Sequence, residues 1–153
     1  MKTTNHKLAY WIIIGYLSIA LILLLLGQTT AIINYDFAVD LGLQENINEV
    51  GAFGIQVNRA FAAADTLVYI PLIVASITGL VLKQRWSLLT TAAVMGISIY
   101  WATTISFMLI FLKNTPDHYL QPGLEYIFFL STFILFGTWG LLYLIFRGEA
   151  LIT

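Results

Sequence analysis

The chain has 153 residues, of which 59% are hydrophobic and only 10% charged, with no cysteine and a formal net charge of −1. Soluble domains carry about a quarter charged residues, so this composition excludes a soluble globular protein. Without cysteine there is no disulfide, thiol relay, iron–sulfur cluster or thiolate zinc site, which also removes the dithiol quinone reductases. No cluster of Lys and Arg points to nucleic acid as a partner.

Four apolar segments reach the ~20 residues needed to cross a bilayer core: 8–27, 60–82, 86–112 and 123–146. Runs such as Ile19–Leu26 (IALILLLL) argue for helices, because in lipid every backbone polar group must be paired within the span. The expected fold is an all-α integral membrane protein, a four-transmembrane-helix bundle forming one domain over 1–153. His6 and His118 fall outside these spans, which argues against a haem held by two histidines in the membrane. No cofactor and no metal is implied.

The first span has a basic start, and Thr29-Thr30-Ala31 offers a weak cleavage site. Its apolar run of about 20 exceeds the ~7–15 of a signal peptide, so it reads as a retained anchor. Residues 28–59 then form a 32-residue connection carrying Asp36, Asp40, Glu45 and Glu49 against Arg59. Apolar residues from Leu41 to Ile55 are mixed with those acids, so a segment folded over the bundle mouth is expected rather than a free loop. A short interfacial helix followed by a break at Gly51/Gly54 fits the pattern. Its acids serve as a lid or vestibule, or simply as a solvated face.

The second span holds Asp65, the one full charge inside an apolar stretch. A carboxylate there costs roughly 2.5–3.5 kcal/mol at a helix centre and less toward an interface. Helical spacing puts Asn58, Ala62, Asp65, Tyr69, Leu72, Ser76 and Gly79 on one face, which must meet protein or a wet cleft. Pro71 lacks an N–H and is expected to kink the helix near Asp65. At ~1.5 Å per residue, Asp65 lies roughly 7–8 Å below Ala60.

Lys83-Gln84-Arg85 is the whole linker to the third span, so these two helices are tight antiparallel neighbours. At the depth of Asp65 the third span offers Thr103, Thr104 and Ser106, with Tyr100 and Trp101 as a floor. Its stripes of Thr91, Met95, Ser98, Ala102 and Ser106, and of Gly96, Tyr100 and Thr103, read equally as close helix packing. The connection 113–122 carries Asp117 and His118, a pH-sensitive or metal-binding pair at most. Pro122 is placed as the first residue of the fourth helix, with Glu125 in its first turn, where the dipole favours a carboxylate. The candidate ligand site is therefore Asp65, Tyr69, Tyr100, Thr103, Thr104, Ser106 and Tyr126, with Arg59 and Glu125 at its mouth.

Orientation follows from the basic residues. Lys2, Lys7, Lys83, Arg85 and Arg147 fall on one side against Arg59 and Lys113 on the other, which places both termini in the cytoplasm and 28–59 outside the cell membrane. In length and span count the chain resembles the small prokaryotic four-helix membrane proteins, the DoxX-like ones among them; the likeness is one of architecture. The small multidrug exporters differ, since they need a glutamate in the first helix, which here has no charge. Zinc-protease and P-loop motifs are absent.

Three functions follow as expectations. The first is an accessory, assembly or scaffolding subunit, whose partners are the bilayer and another membrane protein or a second copy. The alternative is a small carrier or binding protein with an outward cleft around Asp65 for a proton, cation or lipid-like molecule. The third is an outer-leaflet enzyme using Asp65 or Glu125 as acid or base, with no nucleophile or metal to assist; the balance leans away from an enzyme.

Overall fold

The computed structural model describes residues 3–116 and 118–153, with side chains described from His6 onward. Lys2 and Asp117 lie outside the described residues, and with Asp117 the expected pairing to His118. Among the described residues the chain is helical, without strands.

Helix α1 is α-helical over Thr3–Leu24, widens to a π turn at Leu25–Thr29 and returns to α over Thr30–Ile33. It buries Ala9, Ile13, Leu17, Ala20 and Leu24, spaced three and four apart, against the bundle. Asn34 ends it in an extended conformation and caps the short helix α2, Tyr35–Asp40, by accepting from Phe37 N–H.

Helix α3 begins at Ile47 with a capping box, in which Asn46 accepts from Asn48 N–H and Glu49 accepts from Asn46 N–H. Gly51 interrupts it with φ 67°, a conformation that glycine adopts at little cost. The break leaves the Glu49 carbonyl to Tyr119 N–H, at 2.7 Å, which ties the second loop to this helix. Beyond the break α3 is regular to Ala64, takes a π turn at Asp65–Tyr69 and continues over Ile70–Val81. Pro71 accounts for the widened turn: it cannot donate to the carbonyl four residues back, and Ile70 N–H instead reaches five back to Asp65.

A tight turn with Lys83 at φ 56° leads into α4, Trp86–Leu112. Gln84 N–H bonds the Gly79 carbonyl and Lys83 N–H that of Leu80, closing the end of α3. Helix α5 covers Leu124–Arg147 and ends in a 3-10 turn at Gly148–Leu151. It starts two residues after Pro122, so that proline precedes the helix instead of opening it; Gly123 occupies the cap.

These four helices are long and apolar enough to cross a membrane, and they fit a multi-pass membrane protein. The expected spans agree closely for α4 and within a residue at either end of α5. The connection 28–59 is largely helical: α1 runs on to Ile33 and α3 starts at Ile47, leaving irregular backbone mainly around α2. Capping by Asn34 and Asn46 decides those boundaries, and hydropathy does not register caps.

Both described ends of the chain meet at one end of the bundle. His6 Nδ1 is 2.8 Å from the Tyr143 hydroxyl, and Lys83 Nζ donates to the Leu151 carbonyl at 3.2 Å while lying over the Tyr10 ring. There α4 and α5 approach closely: a Cβ on Gly137 would lie 3.0 Å from the Met95 carbonyl oxygen, and one on Gly140 would lie 2.8 Å from Met95 Sδ. Toward the loop end the helices spread.

Candidate functional site

Where the helices spread, all four enclose a cavity of about 480 Å³. Leu24, Gly27 and Gln28 of α1 form one wall, and Asn58, Phe61 and Tyr69 of α3 the next. Trp101 and Ile105 of α4 face Glu125, Tyr126, Leu130 and Phe133 of α5. Gly42–Glu45, just after α2, crosses over the top. The volume falls within the ~300–1,000 Å³ usual for small-molecule sites.

The cavity is polar at its rim and apolar inside. At the rim Glu45 is a clasp: its carboxylate accepts from the Tyr126 hydroxyl at 2.8 Å and from Asn58 Nδ2 at 2.7 Å. Its backbone carbonyl accepts from the Tyr35 hydroxyl at 3.0 Å, and that hydroxyl accepts from Asn58 Nδ2. One residue of the connection is thus held to α2, α3 and α5. Burial pushes the Tyr35 phenol above its ordinary pKa; the Asn58 hydrogen bond works against this, and the nearby Glu45 and Glu49 add to it.

Deeper, Tyr69 joins a hydroxyl cluster. Ser98 Oγ donates to the Val94 carbonyl at 2.9 Å, so it accepts from Tyr16 at 2.7 Å and from Tyr69 at 2.5 Å. Three helices are pinned by one serine. Two buried cavity-lining groups have no partner among the described residues: Trp101 Nε1, a donor, and Gln28 Oε1, an acceptor. Buried polar groups are almost always paired, so these two stand out in the wall. No Lys or Arg lines the cavity, whereas Glu45 and Glu125 do.

The residues expected to cluster are only partly brought together. Tyr69, Tyr126 and Glu125 line the cavity, and so does Trp101. Tyr100, Thr103 and Thr104 face the other way, in an open groove on α4 with Gly96, Phe107 and Phe111; Tyr100 is 72% exposed rather than a floor. Ser106 donates back to the Ala102 carbonyl at 2.7 Å. Arg59 is exposed and outside the cavity lining. Asp65 is 5% exposed but does not line the cavity either; it lies in the π turn that packs on the π turn of α1. Those residues were grouped by matching depth along the helices, and depth alone does not say which way each face turns.

Gln28 and Tyr16 are residues that sequence reasoning passed over, while Glu45 was placed among the acids of a lid, vestibule or solvated face and Ser98 in a packing stripe. Gln28 and Glu45 looked like loop residues, and Ser98 like packing. Gln28 carried a signal in retrospect, as an amide directly continuing a run of leucines. Compared with known proteins, the chain matches no family model, no curated relative and no solved structure.

Proposed function

We propose that this protein is a small membrane carrier or binding protein that takes a neutral, lipid-like molecule with an oxygen-bearing head into the four-helix cavity. The observation that carries this reading is the pair of unpartnered polar groups, Trp101 Nε1 and Gln28 Oε1, in the wall of an otherwise apolar 480 Å³ chamber. A hydroxyl or carbonyl head would pair with them, while Leu24, Ile105, Leu130 and Phe133 would cover the apolar body. Anionic heads are disfavoured, because among the described residues the charges at the wall are the carboxylates of Glu45 and Glu125.

In this reading the protein resides in the cell membrane with both termini cytoplasmic, following the basic residues at the termini end. The cavity then opens in the outer half of the bilayer, and the Glu45 clasp is its gate.

The test uses Trp101 itself. With Trp11, Trp86 and Trp139 replaced by Phe, the remaining fluorescence reports the cavity wall. Titration with a long-chain alcohol or ketone is expected to shift that emission saturably, and Ile105→Phe, which narrows the chamber, is expected to abolish the shift. Emission that stays unchanged across neutral amphiphiles, together with no lipid extractable from the purified protein, would remove the carrier reading.

A second reading, an accessory or assembly subunit, draws on the open groove on α4. Glycine and threonine there would admit a helix of a neighbouring membrane protein or of a second copy. Co-purification of a stoichiometric partner that is lost on Gly96→Leu would favour it.

A further inference from the structure

The π turns of α1 and α3 pack against each other, joined by the Thr29 and Thr66 hydroxyls at 3.1 Å. Asp65 opens the second turn and is 95% buried, and its Oδ2 has no hydrogen-bond partner. Gln28, in the first turn, carries another buried oxygen without a partner. The backbone adds a third acceptor. Ile70 N–H is taken by the Asp65 carbonyl and Pro71 has no N–H, so the Thr66 carbonyl is left without a helical donor.

The place is thus rich in acceptors, and its side-chain donors, the two threonine hydroxyls and the Gln28 amide, are all neutral. No basic residue occurs between Leu8 and Ile33, along α4, or in α5 before Arg147, and on α3 the nearest is the exposed Arg59. An isolated carboxylate in apolar surroundings is too costly to stand alone; it takes up a proton or a cation. Neutral oxygens from hydroxyl, amide and carbonyl groups are ligands for a hard cation. Among the described residues no cluster of three or more His, Asp or Glu could hold a metal, and one carboxylate balances one positive charge.

We propose that the two facing π turns form a binding site for a single sodium ion, with Asp65 as the charged ligand and the oxygens of Thr29 and Thr66 as neutral ones. The widened turns are what make the site possible, since an unbroken α-helix would keep its carbonyls paired. Gln28, beside Thr29 in the same π turn, lines the cavity, so the ion site adjoins the chamber. The proposal does not depend on what occupies the cavity.

The experiment is thermal unfolding of the detergent-purified full chain at pH 8 and fixed ionic strength, with sodium, potassium or choline chloride. Sodium is expected to raise the midpoint saturably, by at least about 3 °C over choline, because a ligand bound only by the folded state stabilises it. Asp65→Asn should abolish the rise and Thr66→Val should shift it to at least about tenfold higher sodium. Should Asp65→Asn not fold, sodium titration calorimetry on wild type and Thr66→Val reads the same affinities. Ile105→Phe should leave the sodium response intact, which separates this site from the cavity. Equal midpoints in sodium and choline would overturn the proposal. So would a midpoint that responds to pH alone, since the carboxyl would then be holding a proton.

Discussion

The two ends of the bundle are built on opposite terms. At the termini end, small residues bring helices together: Gly137 and Gly140 against Met95 and Ile99, and Gly79 against Trp86 and Ser87. At the loop end the π turns of α1 and α3 pack on each other, while large rings and a clasped connection surround a cavity. Five buried side-chain polar atoms lack partners among the described residues, and only that of Thr91 belongs to the termini half; Gln28, Asp65 and His118 lie toward the loops and Trp101 near mid-depth. Tight, mostly satisfied packing at one end anchors a loose, unsatisfied region at the other. Close packing and the cavity are thereby separated along the length of the bundle.

That contrast can be broken from the tight end first. Gly137→Leu forces a side chain into the Met95 carbonyl and Ile99, and is expected to cost about 3 kcal/mol, read as a lower midpoint in thermal unfolding. The same glycine-to-leucine change at Gly15, where a Cβ would meet nothing within 4 Å, is the matched control and should cost well under half as much. At the hinge between the two regions, Ser98→Ala removes the acceptor shared by Tyr16 and Tyr69. The half-buried Tyr16 hydroxyl and the buried Tyr69 hydroxyl then lose their shared acceptor, a loss of about 1–3 kcal/mol, and Tyr69 should become mobile in the cavity wall.

Smaller effects sharpen the loose end. Tyr126→Phe deletes one bond to the Glu45 carboxylate, with an expected loss of about 1 kcal/mol. Its clearer signature is faster amide exchange across residues 42–46 than in wild type, with α4 and α5 unchanged. The smallest effect is the pH response of Tyr35. Its folded pKa is raised by burial, so its contribution to stability is complete below the ordinary tyrosine range and lost as pH rises through the folded value. The midpoint is expected to fall on the alkaline side of that range, and to fall less in Tyr35→Phe.

Much of this architecture was legible beforehand, for a simple reason. A membrane span must be long, apolar and helical, and 86–112 met all three conditions without competition. The buried face of α3 was legible too: Ala62, Asp65, Tyr69, Ser76 and Gly79 are all buried, as their spacing implies. The extent of α1 and α3 was not, because Gln28 to Ile33 and Ile47 to Arg59 mix polar and apolar residues that only helix caps and the opposing turns hold in place.

The candidate site divides in the same way. Composition and period determined that there are four apolar helices, that Asp65 is turned inward, and that Pro71 disturbs the helix beside it; each of these depends on one segment alone. Which face of α4 meets the cavity, which residue clasps the connection, and which oxygens go unpaired were decided only by tertiary structure. Trp101 faces the chamber while Tyr100 faces away, since successive helix residues point about 100° apart and α4 packs on α5 with Met95 against Gly137 and Gly140. Such packing is contact between helices distant along the chain, and no local pattern contains it.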